Sequence, residues 1–247
     1  MAHQFRYRTI ELHKTEVLGT GSYGSVCRAK CDDLPCAAKI LHRVLLQSND
    51  PGTINIIRKF NQECNFMRSI RHSCIVPYLG MYRDPESRLP VLLMEIMDES
   101  LTRYLERSQE SLPYHTQLNL CHDIAMALSY LHCNDIIHRD LSSNNVLLAG
   151  SRAKITDFGM AKVFNINRNR TPMTMCPGTL AYMSPEALRD PPSYTKKLDC
   201  FSFGVLGIQI MTRQFPNPDP AHRVASVFHE SCCRIWVGEL SRHDLNT

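Results

Sequence analysis

Two polar clusters, each beside apolar residues, contain the residue types best suited to chemistry. In the first, His138, Arg139 and Asp140 are followed five positions later by Asn145. A carboxylate such as Asp140 can accept or orient a hydroxyl proton, and an amide such as Asn145 can offer an oxygen to a metal. Burying polar side chains between apolar segments costs free energy, so such a cluster is expected to have a function. Taken alone, however, this cluster also fits a buried, hydrogen-bonded core histidine.

The second cluster begins with Asp157 at the end of a predicted strand, followed by Phe158 as an aromatic anchor and Gly159 as a flexible joint. Oxygen ligands from Asp157 and Asn145, completed by phosphate oxygens, suit Mg²⁺. A lone Asp157 would be interpreted as a turn residue. Because both clusters occur in order, we predict a metal and phosphate site.

A glycine-rich segment near the N-terminus has the pattern G-x-G-x-x-G-x-V. Residues without side chains let the backbone approach phosphates and offer them N–H donors. The pattern also fits a flexible hairpin or the dinucleotide turn of an NAD-dependent oxidoreductase, but here a strand follows where the latter needs a helix. The predicted phosphate-binding segment comprises Leu18, Gly19, Thr20, Gly21, Ser22, Tyr23, Gly24, Ser25 and Val26.

Lys39 lies in an apolar strand pattern, where a buried ammonium needs an anionic partner. Glu63 supplies that charge from a helix predicted at residues 53–71, where apolar residues recur at spacings of three and four. We expect Glu63 to hold Lys39 towards the phosphates. The alternative is a lysine that extends from an edge strand into solvent.

The elements around these residues predict an α+β fold of two lobes. Residues 16–39 form strand, glycine turn, strand, polar turn at 32–35 and strand; the helix and two further strands at 75–82 and 89–96 complete a small antiparallel sheet with one main helix. Helical patterns at 118–131 and 198–211 then predict a mainly helical second lobe. We place the first lobe at about residues 10–95, the hinge at 95–99 and the second lobe at 100–247.

Bulk composition favours an ordinary globular protein of the cytoplasm. The 28 Lys and Arg against 24 Asp and Glu give a net charge of +4, too small and dispersed to predict a nucleic-acid partner. We find no secretory signal and no apolar run that would span a membrane. The eleven cysteines contain no C-x-x-C pair, so reduced buried thiols are favoured over zinc or disulfides.

In this order, the glycine segment, strand lysine, helix glutamate, both polar clusters and Ser184-Pro185-Glu186 resemble the signature motifs of protein kinase catalytic domains. The resemblance covers about residues 16–212. It implies that Mg-ATP binds between two lobes and that its γ-phosphoryl group passes to a protein hydroxyl. The implied catalytic residues are Asp140, Lys39, Glu63 and Arg139, and the implied Mg²⁺ ligands are Asn145 and Asp157.

The resemblance also implies an adenine pocket and an internal stack of side chains. Met94 resembles the gatekeeper, and residues 95–97, with Glu95 and Met97 at their ends, resemble the hinge that hydrogen-bonds adenine. The apolar residues around the base would be Val26, Ala37 and Leu147. The stack that marks an active state would be Met67, Phe158, His138 and Asp199.

Substrate class and regulation follow from the segment between the second cluster and Glu186. Residues 178–186 resemble the substrate-docking segment of Ser/Thr kinases, which implies Ser/Thr substrates. However, Ser142 stands where typical Ser/Thr kinases place a lysine, and residues 141–145 are closer to the tyrosine-kinase-like group. This leaves tyrosine or dual specificity open. Thr171 and Thr174 are candidate phosphorylation sites, whose phosphates would pair with Arg139; an unmodified loop is the alternative.

The chain after about residue 212 matches the family pattern poorly, and we expect a shortened second lobe. Glu186 would then lack its usual arginine, unless one of Arg223, Arg234 or Arg242 replaces it. An incomplete lobe raises a rival function of another class, a pseudokinase-like ATP-binding scaffold without activity.

Overall fold

A five-stranded antiparallel sheet forms the first lobe. The computed structural model describes residues 9–21, 24–42, 51–107, 111–163, 179–187 and 195–216. The strands are β1 Ile10–Thr20, β2 Gly24–Cys31, β3 Leu34–Leu41, β4 Tyr78–Arg83 and β5 Pro90–Glu95. Their order in the sheet is β1-β2-β3-β5-β4.

The turn between β2 and β3 is tighter than the predicted residues 32–35. Asp32 and Asp33 have φ angles of 48° and 66°, and Cys31 pairs directly with Leu34. Aspartate tolerates this left-handed conformation better than most residues do. The two-residue turn therefore leaves Leu34 and Pro35 inside β3.

The main helix of the first lobe, α1, spans Pro51–Ser69, two residues earlier than predicted at each end. Its buried face includes Phe60, Glu63 and Met67. The pattern of apolar residues correctly located the face that carries the glutamate.

The predicted strand at 75–82 begins later, because its first residues join the other lobe. Ile75 forms a parallel bridge with Ile155, and the N–H of Val76 donates to the carbonyl of Ile155 at 3.0 Å. Residues 75–76, which follow α1 in the chain, are therefore bonded to the strand that ends at Ile155, two residues before Asp157.

The second lobe combines short strands with longer helices. The elements are β6 Glu99–Ser100, α2 Leu101–Arg107, α3 Tyr114–Cys133, β7 Ile136–Ile137, β8 Val146–Ala149, β9 Arg152–Ile155, β10 Lys162–Val163 and α4 Lys196–Thr212. β6 pairs with β8, which pairs with β9, and β7 pairs with β10.

One hydrophobic core runs through both lobes, from Met67 on α1 and Phe158 to Leu131 on α3 and Leu206 on α4. Of the eight described cysteines, six are buried free thiols. Within the described residues the cysteines therefore act as small core side chains.

Candidate active site

Lys39 lies where three distant segments of the chain meet. It stands opposite Val26 in the register of β2 and β3, and its Nζ donates to Oε1 of Glu63 at 2.7 Å. The same Nζ donates to Oδ1 of Asp157 at 3.1 Å. The structure thus brings the predicted Lys39–Glu63 pair together and adds a second carboxylate partner.

The three charges shift one another's titration. Burial raises the pKa of Glu63, whose side chain is 4% exposed, and this outweighs the lowering effect of Lys39. Partial burial also opposes ionisation of Asp157, but Lys39 lowers the pKa of that carboxyl overall. For Lys39, burial lowers the pKa and the two carboxylates outweigh burial and raise it. Lys39 therefore keeps its positive charge at neutral pH.

Asp140 and Asn145 are fixed against each other. The Nδ2 of Asn145 donates to the main-chain carbonyl of Asp140 at 2.7 Å and to its Oδ2 at 3.0 Å. A 3-10 turn at Ser143–Asn145, closed by the N–H of Asn145 on the carbonyl of Ser142 at 3.0 Å, makes this return possible. Because the amide nitrogen is occupied, the amide oxygen of Asn145 is the atom left for a ligand.

Asp199, at the start of α4, anchors the backbone that leads into Asp140. Its Oδ2 accepts from the N–H of His138 at 2.9 Å and contacts Nε2 of His132 at 2.8 Å, and its Oδ1 accepts from the N–H of Arg139 at 2.9 Å. Asp199 is completely buried. These bonds hold Arg139 at a φ of 71°, a conformation that ordinary residues adopt only under such constraint.

The His138 ring joins the two polar clusters. The N–H of Asp140 donates to Nδ1 at 3.3 Å, and Nε2 lies 3.0 Å from the carbonyl of Thr156. Since Nδ1 accepts, Nε2 carries the proton and donates to Thr156. His138 is therefore a satisfied buried histidine that also ties Asp140 to the residue before Asp157.

Phe158 anchors the second cluster in the core. Its ring packs edge-on to His138 with 5.1 Å between centroids and lies 5.3 Å from the ring of Phe66. Phe158 and Met67 are almost completely buried in one core. Phe66 was not predicted from the sequence, because it lies on the partly exposed side of α1. With Phe158 inserted, Asp157 takes a left-handed conformation, with φ of 61°, in which its carboxylate reaches Lys39.

The three glycines of the phosphate-binding pattern differ in their surroundings. A Cβ at Gly24 would lie 2.1 Å from the carbonyl oxygen of Ile40, whereas one at Gly19 would meet nothing within 4 Å. Gly24 is therefore required by strand packing, and Gly19 borders open space. At Gly21 the nearest atom would be the Gly24 oxygen at 3.6 Å.

The predicted adenine-contacting residues lie around the junction of the lobes. Ala37 pairs with Met94 in the register of β3 and β5, and both are buried. The N–H of Glu95 donates to the carbonyl of Pro77 at 3.0 Å. By contrast, the N–H of Met97 has no hydrogen-bond partner among the described residues.

An ion pair also fixes this junction. Lys154 on β9 forms an ion pair of 2.6 Å with Glu95, which the sequence did not indicate because the partners lie far apart in the chain. Leu147 on β8 pairs with Ser100 of β6 and is half-buried, as is Val26 on β2.

The chain is similar to known proteins over most of its length. The family described as "Protein kinase domain" matches residues 12–244. The chain is 34% identical over 238 residues to "Serine/threonine-protein kinase CTR1" of Arabidopsis thaliana, covering 92% of this chain and 27% of that protein. It is 29% identical over 229 residues to "Dual specificity protein kinase shkC" of Dictyostelium discoideum, covering 92% and 43%, and 29% identical over 216 residues to "Serine/threonine-protein kinase TNNI3K" of Mus musculus, covering 86% and 25%.

The chain belongs to the protein kinase family. Its two-lobe α+β fold is the one predicted. Members of this family use ATP with a divalent metal and act on protein substrates. This kinase domain spans 43% or less of the length of the three relatives named above.

The family match extends beyond residue 212, where the sequence pattern showed us no motif of the family. The tail that follows residue 216 lies outside the described residues, as do its three candidate arginines. Glu186 is half-buried and forms no ion pair with the described residues. The expected partner of Glu186 and the shortened lobe stay predictions.

Other predicted sites also lie outside the described residues. These are Ser22 and Tyr23 of the glycine segment and the candidate phosphorylation sites Thr171 and Thr174. In the described part of the kinase domain, no helix has the length and apolar character needed to cross a bilayer.

Proposed function

We propose that this kinase domain transfers the γ-phosphoryl group of ATP to serine and threonine hydroxyls of proteins. The observation that carries the proposal is the position of Lys39, which is bonded to both Glu63 and Asp157. The three residues belong to separate motifs on different elements, and they meet at the ammonium of Lys39. Because burying such charges costs free energy, their presence here indicates a site that binds anionic ligands.

Lys39 and the glycine segment form the proposed phosphate site. The open space at Gly19 lets a phosphate approach the backbone, and Glu63 orients Lys39 towards it. In this family the reaction depends on positioning and on neutralising the phosphate charge. Glu63 is therefore proposed as a positioning group, and Lys39 as the residue that contacts the phosphates.

The donor set fits Mg²⁺. Asn145 offers its amide oxygen and Asp157 its carboxylate, both hard oxygen ligands. No group of three or more His, Cys, Asp or Glu side chains able to hold a metal occurs in the described residues. The metal would therefore need ATP phosphate oxygens to complete its shell, which is how Mg²⁺ usually binds in such sites. When bound, Mg²⁺ would neutralise charge on the phosphates.

Asp140 is the group proposed to orient the substrate hydroxyl and accept its proton. Its carboxylate is held by Asn145, and its backbone is held through His138 and Arg139 by Asp199. A carboxylate that is fixed before the substrate arrives needs no reorganisation during the reaction.

The hinge is proposed to bind adenine through the free N–H of Met97 and the carbonyl of Glu95, with Met94 at the back of the pocket. Val26, Ala37 and Leu147 would pack on the base. The unmatched Met97 donor supports this role, because an adenine ring nitrogen would satisfy it.

Serine and threonine are the proposed substrate residues, because two of the relatives are named as Ser/Thr kinases. Dual specificity is the second candidate, since one relative is named as a dual specificity kinase and Ser142 replaces the lysine usual in Ser/Thr enzymes. The cytoplasmic location and the regulatory phosphorylation of Thr171 and Thr174 stay predictions.

The experiment compares the purified chain with Asp140→Asn, using Mg-ATP and a mixed Ser, Thr and Tyr peptide substrate. Loss of a proton-accepting group should lower kcat by about 100-fold or more with little change in ATP affinity. Asp33→Asn, in the exposed β2–β3 turn, is the matched control and should keep full activity. Phosphoamino-acid analysis of the product decides between Ser/Thr and dual specificity.

One result would favour the scaffold function. If ATP binds the wild-type chain but phosphate transfer is no faster than in Asp140→Asn, the enzyme proposal is wrong for this chain. Thermal melting of each protein with and without Mg-ATP shows whether folding accounts for the difference.

A further inference from the structure

Four side chains from four elements form a continuous row of hydrogen bonds behind the proposed catalytic residues. Thr102 on α2 lies 2.7 Å from the hydroxyl of Ser143, which lies 2.9 Å from the hydroxyl of Tyr182. Tyr182 donates to Oε1 of Gln209 on α4 at 2.6 Å. The row therefore connects the helix after the hinge, the turn before Asn145, the 3-10 turn at Thr179–Tyr182 and the central helix.

The donor and acceptor of each hydrogen bond in the row follow from the bond at the Gln209 end. Tyr182 has one hydroxyl proton, which goes to the amide oxygen of Gln209, so it must accept from Ser143. Ser143 then has no proton left and must accept from Thr102. Ser143 and Tyr182 each donate once and accept once, and aligned bonds of this kind strengthen one another at low dielectric.

Three of the four members of the row are buried, so water cannot replace them. Ser143 and Gln209 are 1% exposed, and Tyr182 is 5% exposed. Burial raises the pKa of Tyr182, so its hydroxyl keeps its proton at neutral pH. The backbone of Tyr182 is also fixed to α4, because the hydroxyl of Ser202 donates to its carbonyl at 2.8 Å.

Ser143 is the first residue of the turn whose last residue, Asn145, holds Asp140. A shift of this short turn would move the amide of Asn145 and therefore both the proposed metal ligand and the proposed proton acceptor. None of the four hydroxyl or amide groups has a role in the proposed chemistry.

We propose that Ser143 and Tyr182 are positioning residues that fix the Asp140–Asn145 pair to the 3-10 turn at Thr179–Tyr182 and to α4. This inference rests on the proposed function, because it takes Asp140 and Asn145 as the groups that act. Through the row, the turn at Thr179–Tyr182 and the turn at Ser143–Asn145 move together.

The experiment uses Ser143→Ala, Tyr182→Phe and the double variant in the full chain. The phosphotransfer rate and the affinity for adenylyl-imidodiphosphate, with and without Mg²⁺, are measured well below each melting midpoint. Each single variant should lower kcat, and the gain in nucleotide affinity on adding Mg²⁺, by about tenfold, as expected for loss of one buried hydrogen bond. Affinity without Mg²⁺ should stay unchanged. The double variant should be no worse than the poorer single one, because both changes break one row.

Ser69→Ala is the matched control, since its hydroxyl also donates to a carbonyl but at the exposed end of α1. It should leave all rates and affinities unchanged. A lower melting midpoint in the test variants with unchanged kcat and unchanged Mg²⁺ gain would overturn the positioning role and leave a purely structural one.

The two proposals fail in different ways. If the wild-type chain shows the Mg²⁺ gain and the variants lose it, but no phosphate is transferred, the positioning role stands and the proposed activity is wrong. If Mg²⁺ gives the wild-type chain no gain in affinity, both are wrong.

Discussion

The two charged assemblies beside the candidate cleft are held in opposite ways. In the first lobe, side-chain charges on three segments meet at Lys39, whose carboxylate partners come from α1 and from the far side of the cleft. In the second lobe, the buried carboxylate of Asp199 accepts two backbone N–H bonds and fixes the chain before Asp140. One assembly depends on the relative placement of separate elements, and the other is part of the backbone fold.

The difference separates stability from function. Ionising Glu63 inside the fold is unfavourable, as its raised pKa shows, so its charge does not stabilise the domain. Asp199, by contrast, accepts hydrogen bonds from the backbone N–H groups of His138 and Arg139. We therefore expect changes at Asp199 to affect folding first and changes at Glu63 to affect chemistry first.

Asp199→Asn should have the largest effect on stability. An amide offers one acceptor oxygen to the donors of His138, Arg139 and His132, so at least one of them would face an NH₂ group. Hydrogen bonds to charged groups contribute about 1.5 to 3 kcal/mol each, and we expect the free energy of unfolding to fall by about 3 kcal/mol. Urea denaturation measures this, and a fall below about 1 kcal/mol would contradict the anchoring role.

Gly24→Ala should come next. The added Cβ would lie 2.1 Å from the carbonyl oxygen of Ile40. Because overpacking of this kind destabilises a fold, we expect the free energy of unfolding to fall by about 2 kcal/mol. Gly19→Ala is the matched variant, because its Cβ meets no atom within 4 Å. We expect it to keep the stability of the wild-type chain and to weaken ATP binding, measured by titration calorimetry. Equal destabilisation by both variants would show that the segment acts as one structural unit.

The buried thiols predict a loss of stability in alkali, mainly from the first lobe. Burial raises the pKa of Cys36 and of Cys64 to about 12, and that of Cys121 in the second lobe to about 11. Their contribution is complete below the unfolded-state pKa near 9 and is lost as the pH rises towards these values. Each thiol adds a slope of about 1.4 kcal/mol per pH unit in that window.

Urea denaturation between pH 8 and 11 under reducing conditions tests this slope. Cys36→Ala should reduce it, whereas Cys133→Ala, at an exposed position, should not. If stability falls with pH equally steeply in both variants, groups other than Cys36 control the loss of stability in alkali.

Glu63→Gln should have the smallest effect on stability and still impair the chemistry. Because the fold already disfavours the Glu63 charge and Lys39 keeps Asp157 as partner, we expect a change below about 1 kcal/mol in the free energy of unfolding. The rate of phosphate transfer should fall by about tenfold or more, as Lys39 loses its orientation. Parallel denaturation and kinetic measurements check both, and a large loss of stability with normal kinetics would reverse the comparison.

Much of the fold was predictable, because local rules decide it. Apolar residues at spacings of three and four located the buried face of α1, and strand patterns located the sheet. The same spacing located α3 but not its whole buried face, because Leu118 is exposed. A run that is apolar nearly all round located α4. Two boundaries differ from the prediction: Ile75 leaves its predicted strand to bridge Ile155, and Pro35 pairs with Lys30, so that β3 extends into the predicted turn. No local pattern encodes a pairing as distant as that of Ile75 with Ile155.

The sequence by itself determined which residues are candidates for the site. Residue types and spacings predicted a Lys39–Glu63 pair and a metal site at Asn145 and Asp157, and the resemblance to kinase motifs predicted that these residues and Asp140 form one site. Residue type and periodicity are local properties, so they can be read without coordinates.

Only the tertiary structure decided how these residues are held. It showed that Lys39 has two carboxylate partners, that Asp199 supports the backbone before Asp140, and that Ser143 and Tyr182 join two turns by hydroxyl groups. Hydrogen bonds and ion pairs form only when groups far apart in the chain are brought to within about 3 Å of each other, with a tolerance of a few tenths of an ångström. Such distances arise from packing of the whole domain, and no pattern of neighbouring residues contains them.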